Sequence, residues 1–524
     1  MEGDIIAKNV FQTALTVTVF SCVERFLGFL YRIFLSRALG AEGLGIYQIS
    51  LSVLGLFMTV TSSGIPITVS RMMIKYKSKN QNQKSDSTIT AGILMAIAFS
   101  IPLVLFIFSK SGFLNFLFSD ERCLPVLTIM IPGLIFTSVY AVLRGSFWGN
   151  NRFLAYSVIE FLEESVMLIA GIILVNLAVD VTQGVNMAGY AVLISYLFSF
   201  TVASAYFFIK GGKLKSPKNE FLPLFKSSAP ITATKTSTSL INTLIAVILP
   251  ARLVSFGLSS SDAMTEFGKI FGMAFPLIFM PSTLIGSLAL VLVPELSSNY
   301  YSKNYRTLKN NLEKAIKFSC FIACVIIPVF LSLGNEISEF LYSDKTVGNY
   351  VVLGAVTMLP LSVSIITTSM LNSLNKEKQT LCSFFLGASV MLICIYFLPS
   401  VIGVHALTVG TFLNYLITAV FNLIILAKTS PYKLDYLKHS LSAIITVIPS
   451  AIFGYFLKNV FSKFCVVQIT AIICSALVAL FSLGLFYVFG LTDFFFETRT
   501  ELKVFKKGNS FKNGHKRKQK TVVN

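Results

Sequence analysis

The sequence predicts an all-α polytopic membrane protein with 14 transmembrane helices, in two pseudo-symmetric six-helix lobes plus a C-terminal helix pair. Hydrophobic residues make up 54% of the 524 positions and charged residues only 13%, about half the charged share of an ordinary soluble domain. Apolar runs long enough to cross a bilayer, about 20 residues, recur along the chain. Short peptides of the first half also return in the second half.

The apolar runs between polar breaks give the candidate spans in chain order. They lie near residues 10–33, 45–70, 88–108, 124–147, 153–177, 186–209, 228–251, 269–294, 312–334, 349–373, 381–399, 403–427, 439–460 and 465–490. No stretch resembles a soluble catalytic domain, so we expect a transporter and not an enzyme. The chain contains no G-x-x-x-x-G-K-[ST] loop, so we expect no nucleotide hydrolysis.

Two peptides show the internal repeat most clearly. Phe116-Leu117-Phe118-Ser119-Asp120 is matched by Phe340-Leu341-Tyr342-Ser343-Asp344, and Ser78-Lys79-Asn80 by Ser302-Lys303-Asn304, each 224 residues later. Because the repeat unit holds six helices, an even number, both copies enter the membrane in the same orientation. The predicted parts are a first lobe (1–209), a basic cytoplasmic linker (210–226), a second lobe (227–427), the helix pair (428–490) and a basic cytoplasmic tail (491–524).

The basic residues predict the topology. The loops 71–87, 210–226 and 296–317 carry five Lys or Arg residues each, whereas the loops 178–185 and 400–402 carry none. By the positive-inside rule, the basic loops face the cytoplasm. We therefore expect a multi-pass protein of the cell membrane with both termini in the cytoplasm. The net charge of +19 is explained by loops that face anionic lipid headgroups, so no nucleic-acid partner is expected.

The cysteines and histidines do not form a metal-binding pattern. The eight cysteines fall mostly within spans, no C-x-x-C pair occurs, and the chain has three histidines. Structural zinc sites need clustered Cys and His ligands. We expect no metal site and no cofactor.

Charged side chains inside apolar spans are the first site candidates, because a charge at the centre of a membrane helix costs about 2.5–3.5 kcal/mol on insertion scales. Arg25 and Arg32 lie seven residues apart in the first span, which places them on one helical face. Two guanidinium groups so placed could grip a pyrophosphate. The alternatives are that Arg25 pairs with a glutamate of another helix and that Arg32 reaches the outer interface.

Four glutamates form the second group of candidates. Glu24 neighbours Arg25, and Glu160, Glu163 and Glu164 enter the fifth span within about two turns. Like charges so close repel each other unless a cation lies nearby. They predict either an ion-pair network that closes a gate or a coupling-ion or proton site.

Lys235 is the other cation predicted deep in a span. It lies in a hydroxyl-rich stretch of the seventh span that also contains Asn242. Lipid would not solvate such a face, so we expect Lys235 and Asn242 to line a cavity with Arg25 and Arg32. The alternative is a polar face that packs against neighbouring helices.

Several motifs resemble those of a known family. They are Glu24-Arg25-Phe26-Leu27-Gly28-Phe29, the segment from Arg37 to Tyr47, Gly64-Ile65-Pro66-Ile67, Glu160, Leu249-Pro250-Ala251-Arg252-Leu253 and Leu292-Val293-Pro294-Glu295. Together they are similar to the stage V sporulation protein B and polysaccharide-exporter branch of the multidrug/oligosaccharidyl-lipid/polysaccharide flippase superfamily, over the whole chain.

The resemblance implies a fold and a substrate. It implies 14 helices and the flipping of undecaprenyl-pyrophosphate-linked sugars, with the peptidoglycan precursor lipid II as first candidate, in spore cortex or wall synthesis. Arg25 corresponds to a first-helix arginine of the related lipid II flippases. Where relatives usually show an arginine after the glutamate of the fifth span, this chain has Glu163-Glu164, which leaves the headgroup open.

The sequence thus favours a flippase that accepts a polyprenyl-pyrophosphate glycolipid from the cytoplasmic leaflet and releases it outside by alternating access. Its expected partners are the lipid-linked saccharide, the bilayer and cell-wall synthesis enzymes. Two alternatives remain open. One is a cation-coupled multidrug antiporter of the same superfamily, and the other is a silent scaffold for wall-synthesis enzymes.

Overall fold

A computed structural model describes residues 2–109, 111–217, 219–429, 444–464 and 466–489. This part of the chain is built from α-helices and contains no β-strand. The all-α class predicted from the apolar runs is confirmed. The tail predicted for 491–524 and the predicted start of the thirteenth span lie outside the described residues.

The first half of the chain forms seven α-helices before the linker. They are α1 (Glu2–Ser62), α2 (Ile65–Lys77), α3 (Asn82–Ser109), α4 (Cys123–Met130), α5 (Gly133–Gly149), α6 (Phe153–Asn176) and α7 (Val181–Ile209). Helix α1 is interrupted at Gly40, whose φ of 69° and ψ of −176° are non-helical. Glycine adopts a positive φ without the steric penalty that other residues meet. The break separates the first two predicted spans.

The second half begins with a helix that the linker precedes. The helices are α8 (Phe221–Ser255), α9 (Ser260–Phe267), α10 (Phe275–Phe279), α11 (Ser282–Tyr301), α12 (Tyr305–Tyr342), α13 (Val347–Ala355), α14 (Met358–Ser373), α15 (Glu377–Phe397), α16 (Pro399–Ile402), α17 (His405–Thr429), α18 (Val447–Phe461) and α19 (Val467–Val488). A π-helical turn, Gly268–Ala274, joins α9 to α10.

Many of these helices can cross a membrane. Within the described residues, eight are long and apolar enough, or up to ten if each of two bent pairs is one span. The chain is a multi-pass membrane protein. The count of fourteen spans stays a prediction.

The helix boundaries repeat with the offset seen in the sequence. Helices α4, α6 and α7 begin at Cys123, Phe153 and Val181, and α13, α15 and α17 begin at Val347, Glu377 and His405, each 224 residues later. The bent pairs are also counterparts, since α4 and α5 meet at 45° and α13 and α14 at 57°. The duplicated sequence therefore folds into duplicated elements.

The described chain forms two compact units. Unit 1 contains residues up to Thr283 together with Leu341–Tyr350 and Phe385–Asn414, and unit 2 contains Leu284–Phe340, Val351–Phe384 and the residues from Tyr415 onward. An apolar cluster in unit 1 includes Ile65, Met95 and Phe147. One in unit 2 includes Leu312, Ile366 and Leu426. The lobe boundaries drawn from the sequence stay a prediction.

Close helix contacts in unit 1 require glycine. A Cβ atom on Gly268 would lie 1.9 Å from the carbonyl oxygen of Ala41, and one on Gly45 would lie 2.3 Å from that of Met264. Atoms cannot approach so closely, so both positions exclude a side chain unless the backbones separate. These glycines let the segment after Gly40 pack directly on α9 and the π-helical turn.

Candidate functional site

Two adjoining cavities lie inside unit 1. The first has a volume of about 300 Å³ and is lined by α1, α5, α6 and α7. The second has a volume of about 460 Å³ and is lined by α1, α6 and the segment from Phe271 to Thr283. Glu24, Gly28, Arg32 and Glu164 line both cavities. The first helix of the chain therefore forms their shared wall.

Arg25 and Arg32 lie on that wall. Both line the second cavity, whose opposite side carries Phe271, Phe275 and Phe279. Among the described residues, neither guanidinium group has a carboxylate within ion-pair distance. The second cavity thus presents cations on one side and aromatic rings on the other, which suits an amphipathic ligand.

Glu164 reaches the first helix between the two arginines. Its Oε2 atom lies 3.9 Å from the position that a Cβ atom would take on Gly28. Residues 25, 28 and 32 share one face of a helix, and only glycine at the middle position leaves room for the carboxylate. The sequence places Gly28 where Glu164 approaches, so the two elements are complementary.

An ion pair that the sequence did not predict lies in the first cavity. The Arg144 Nη1 atom of α5 is 3.0 Å from the Glu160 Oε1 atom of α6. The Arg144 guanidinium also lies 5.4 Å from the ring centroid of Trp148 and 5.9 Å from that of Tyr156. Such positions are attractive for a cation because the faces of aromatic rings carry negative potential.

Several polar atoms of the first cavity have no hydrogen-bond partner within the described protein. They are the hydroxyl groups of Tyr31 and Tyr140, the Oε2 atoms of Glu163 and Glu164, and Nε of Arg144. The two tyrosines are 2% and 4% exposed. Buried polar atoms without partners are rare and usually mark a functional site or a bound group.

Lys235 and Asn242 line neither cavity. Lys235 is exposed on α8, and its Nζ atom lies 3.3 Å from the carbonyl oxygen of Ser63, between α1 and α2. The amide of Gly64 donates to Thr232 Oγ1, one turn before Lys235, at 3.1 Å. Lys235 therefore contacts the C-terminal end of a broken helix, which carries partial negative charge.

The structure brings six of the eight predicted site residues together. Glu24, Arg25, Arg32 and Glu164 line the second cavity, and Glu160 and Glu163 line the first. Arg144 was missed. It falls three residues before the predicted end of the fourth span, where a basic side chain reads as an interfacial charge. Its sequence signal was the aromatic pair Trp148 and Tyr156 around an arginine.

A second polar network lies outside the spans, at the turn before α4. Arg122 Nη2 lies 2.7 Å from Asp120 Oδ2 and 2.6 Å from Glu42 Oε1, and the Ser260 hydroxyl donates to Asp120 at 3.2 Å. Burial alone would raise the pKa of Asp120, but hydrogen bonds from Arg122 and Ser260 hold it below its ordinary value. Hydrogen bonds to Asp120 raise the pKa of Arg122. The network connects three segments of unit 1.

The fold and the charged cavities define a multi-pass membrane transporter. A model of the family described as polysaccharide biosynthesis protein matches residues 7–300. The chain belongs to this family.

Relatives and solved structures agree with this assignment. The chain is 22% identical to stage V sporulation protein B of Bacillus subtilis (strain 168) over 461 residues, 84% of this chain and 88% of the relative. It is 20% identical to the lipid II flippase MurJ of the same organism over 488 residues, 87% and 89% of the two chains.

Two solved structures share the fold. Lipid II flippase MurJ in an inward closed conformation superposes with a TM-score of 0.68 at 17% identity, covering 90% of this chain and 99% of that one. An inward-facing multidrug resistance MATE family transporter of the MOP superfamily superposes with a TM-score of 0.66 at 13% identity, covering 77% and 95%. The protein is a MOP-superfamily transporter and not an enzyme.

Proposed function

We propose that this transporter is a flippase that moves a polyprenyl-pyrophosphate-linked saccharide across the cytoplasmic membrane by alternating access. Lipid II is the first candidate substrate, because one relative is named a lipid II flippase. A sporulation protein among the relatives places wall or spore-cortex synthesis next. In this proposal both termini face the cytoplasm, and cell-wall synthesis enzymes are the expected protein partners.

One observation carries the proposal. Arg25 and Arg32 line the second cavity without carboxylate partners among the described residues, opposite Phe271, Phe275 and Phe279. Guanidinium groups bind phosphate oxygens through two parallel hydrogen bonds. Aromatic rings suit the first isoprene units of a lipid tail. A pyrophosphate joined to a polyprenyl chain meets both requirements at once.

Lys235 and Asn242 receive a role in another conformation. They are seven residues apart on α8 and both exposed, so they share a helical face. Lys235 is held by a backbone carbonyl, and its charge is therefore not neutralised by that contact. We assign them to contact the head of the lipid when the helices rearrange, with Arg25 and Arg32 as the first contacts.

The experiment is translocation of fluorescent lipid II by the purified full-length protein in liposomes. Wild type should expose the lipid to a membrane-impermeant quencher, and Arg25→Ala and Arg32→Ala should each lower the rate by roughly ten-fold, the size of one lost charge-assisted contact. Arg306→Ala is the matched control, because this arginine is exposed at the start of α12. An Arg25→Ala rate equal to wild type would contradict the binding role of Arg25.

The charge of the first cavity favours a second candidate function. Four glutamates and two arginines line it, and a negative cavity can attract a cationic drug. A cation-coupled multidrug antiporter would export ethidium from the same liposomes and leave lipid II in place. A scaffold would move neither compound.

A further inference from the structure

We propose that the first cavity is a subsite for a positively charged amino group on the head of the lipid-linked substrate. The inference rests on the proposed flippase function and refines its substrate class. The substrate would carry phosphate for the second cavity and a primary ammonium group for the first. A head whose amino groups are all acetylated would lack the second contact.

The charge inside the first cavity is the first step. Glu24, Glu160, Glu163 and Glu164 line it together with Arg32 and Arg144, which gives a formal charge of minus two. Arg144 is already paired with Glu160. A surplus of carboxylates away from water is costly unless a cation enters. The cavity therefore favours a ligand group with positive charge.

The unpartnered atoms are the second and independent step. The hydroxyl groups of Tyr31 and Tyr140 line the cavity and have no hydrogen-bond partner in the described protein, although both side chains are more than nine-tenths buried. The Oε2 atoms of Glu163 and Glu164 are unpartnered as well. An ammonium group offers three donors, which carboxylate and hydroxyl oxygens accept.

The arrangement of the acids separates an organic ammonium from a metal ion. Within the described residues, no group of three or more His, Cys, Asp or Glu side chains is placed to hold a metal ion. The glutamates instead surround a volume of about 300 Å³, the lower end of the range for small-molecule sites. A sugar-sized group with one amino substituent fits this space better than a single ion.

The position of the cavity connects it to the phosphate site. Glu24, Gly28, Arg32 and Glu164 line both cavities, so one molecule can occupy both. Arg25 lines only the second cavity, whereas Arg144 and Glu163 line only the first. The phosphate and the ammonium of one head therefore meet opposite charges on two sides of α1.

Binding is tested on the purified full-length protein through its single tryptophan. Trp148 is the one tryptophan in the chain and lies 5.4 Å from Arg144, so its fluorescence reports on the first cavity. Glucosamine should change the fluorescence at concentrations at least ten-fold lower than N-acetylglucosamine. The Glu163→Gln and Glu164→Gln variants should reduce this preference, and the exposed Glu121→Gln should keep it.

Three binding results would overturn the inference. They are equal responses to glucosamine and N-acetylglucosamine, a preference that persists in both glutamine variants, and a sodium chloride response that matches and displaces that of glucosamine. The last result would identify a free-cation site. Wild type and Glu121→Gln give a decision even if a glutamine variant fails to fold, because the amine preference is measured on wild type.

Transport separates the inference from the proposed function. Wild-type liposomes receive two polyprenyl-pyrophosphate disaccharides that differ only in acetylation of one amino group. The free amine should move at least about five-fold faster, somewhat less than one full charge-assisted contact. If neither lipid moves, the proposed function fails. If both move at the same rate, the flippase stands and the ammonium subsite is wrong.

Discussion

Each compact unit holds an ion pair between two membrane helices, but the two pairs have different surroundings. In unit 1, Arg144 of α5 pairs with Glu160 of α6 at 3.0 Å, beside a cavity that three further glutamates line. In unit 2, Lys458 of α18 pairs with Glu336 of α12 at 2.8 Å. Glu336 shares a helical face with Val329 and Leu333, which belong to an apolar cluster.

The difference separates a structural role from a functional one. The pair in unit 2 joins α18 to α12, and nearby the Tyr455 hydroxyl donates to the carbonyl of Leu331 at 2.8 Å. A buried pair of this kind can often be replaced by apolar side chains of similar size without loss of stability. The pair in unit 1 fixes one arginine within a cavity that holds an excess of acid. Replacing it would change the charge that a substrate meets.

The largest expected effect is on transport when both partners of each pair become methionine. Arg144→Met with Glu160→Met should reduce lipid translocation by roughly a hundred-fold, because two charged contacts of about 1.5 kcal/mol each are lost. Glu336→Met with Lys458→Met should keep translocation within about two-fold. Both are measured in liposomes at equal amounts of folded protein. Equal losses in both variants would remove the distinction between the pairs.

The sequence predicted the charged residues of the first cavity only in part. Glu24, Glu160, Glu163 and Glu164 were visible because charge inside an apolar run is costly. Arg144 was not, because it lies near the end of its predicted span, where lysine and arginine usually face headgroups. Its pairing with Glu160 depends on the packing of α5 against α6, which no local sequence pattern encodes. Lys235 and Asn242 were predicted to share the cavity, and they lie outside it.

The next effect concerns stability in unit 2. Glu336→Ala should lower the free energy of unfolding by about 3 kcal/mol, because it leaves the Lys458 ammonium without its partner. Glu336→Met with Lys458→Met should recover most of that loss. Thermal unfolding in detergent, followed by helix content, measures both variants. If the single and double variants unfold at the same temperature, the pair does not act as a unit.

A smaller effect is expected where unit 1 packs through glycine. Gly268→Ala should lower the free energy of unfolding by about 2 kcal/mol, the usual size for overpacking, because its Cβ atom would overlap the carbonyl of Ala41. Gly55→Ala is the control, since no atom lies within 4 Å of the new methyl group. It should be neutral or up to about 1 kcal/mol stabilising. The same unfolding assay compares them, and a tolerated Gly268→Ala would mean that α9 can shift.

The fold was more predictable than the site for a physical reason. Bilayer thickness fixes the length of an apolar helix, so the number of apolar residues alone predicted most of the helices. The repeat offset of 224 residues also predicted that Cys123 and Val347 begin equivalent helices. The breaks at Gly40 and Gly64 follow from glycine and the nearby Pro66. The cavities, in contrast, depend on which faces of distant helices meet.

The smallest expected effect compares two equivalent turns of the repeat. Asp120 and Asp344 each accept a backbone hydrogen bond from the residue two positions later, but within the described residues only Asp120 also pairs with an arginine. Because the folded pKa of Asp120 is lowered, its contribution is complete above the unfolded value of about 3.9 and is lost as the pH falls through the folded pKa.

Asp120→Asn should therefore lower the free energy of unfolding by about 1 kcal/mol at pH 7 and by less as the pH falls below about 4. Asp344→Asn is the matched control and should show a smaller loss at pH 7, because it removes no ion pair. Thermal unfolding of both variants and wild type between neutral pH and pH 3 measures the difference. If the Asp120→Asn loss stays constant over that range, the Arg122 pair does not stabilise the charged form of Asp120.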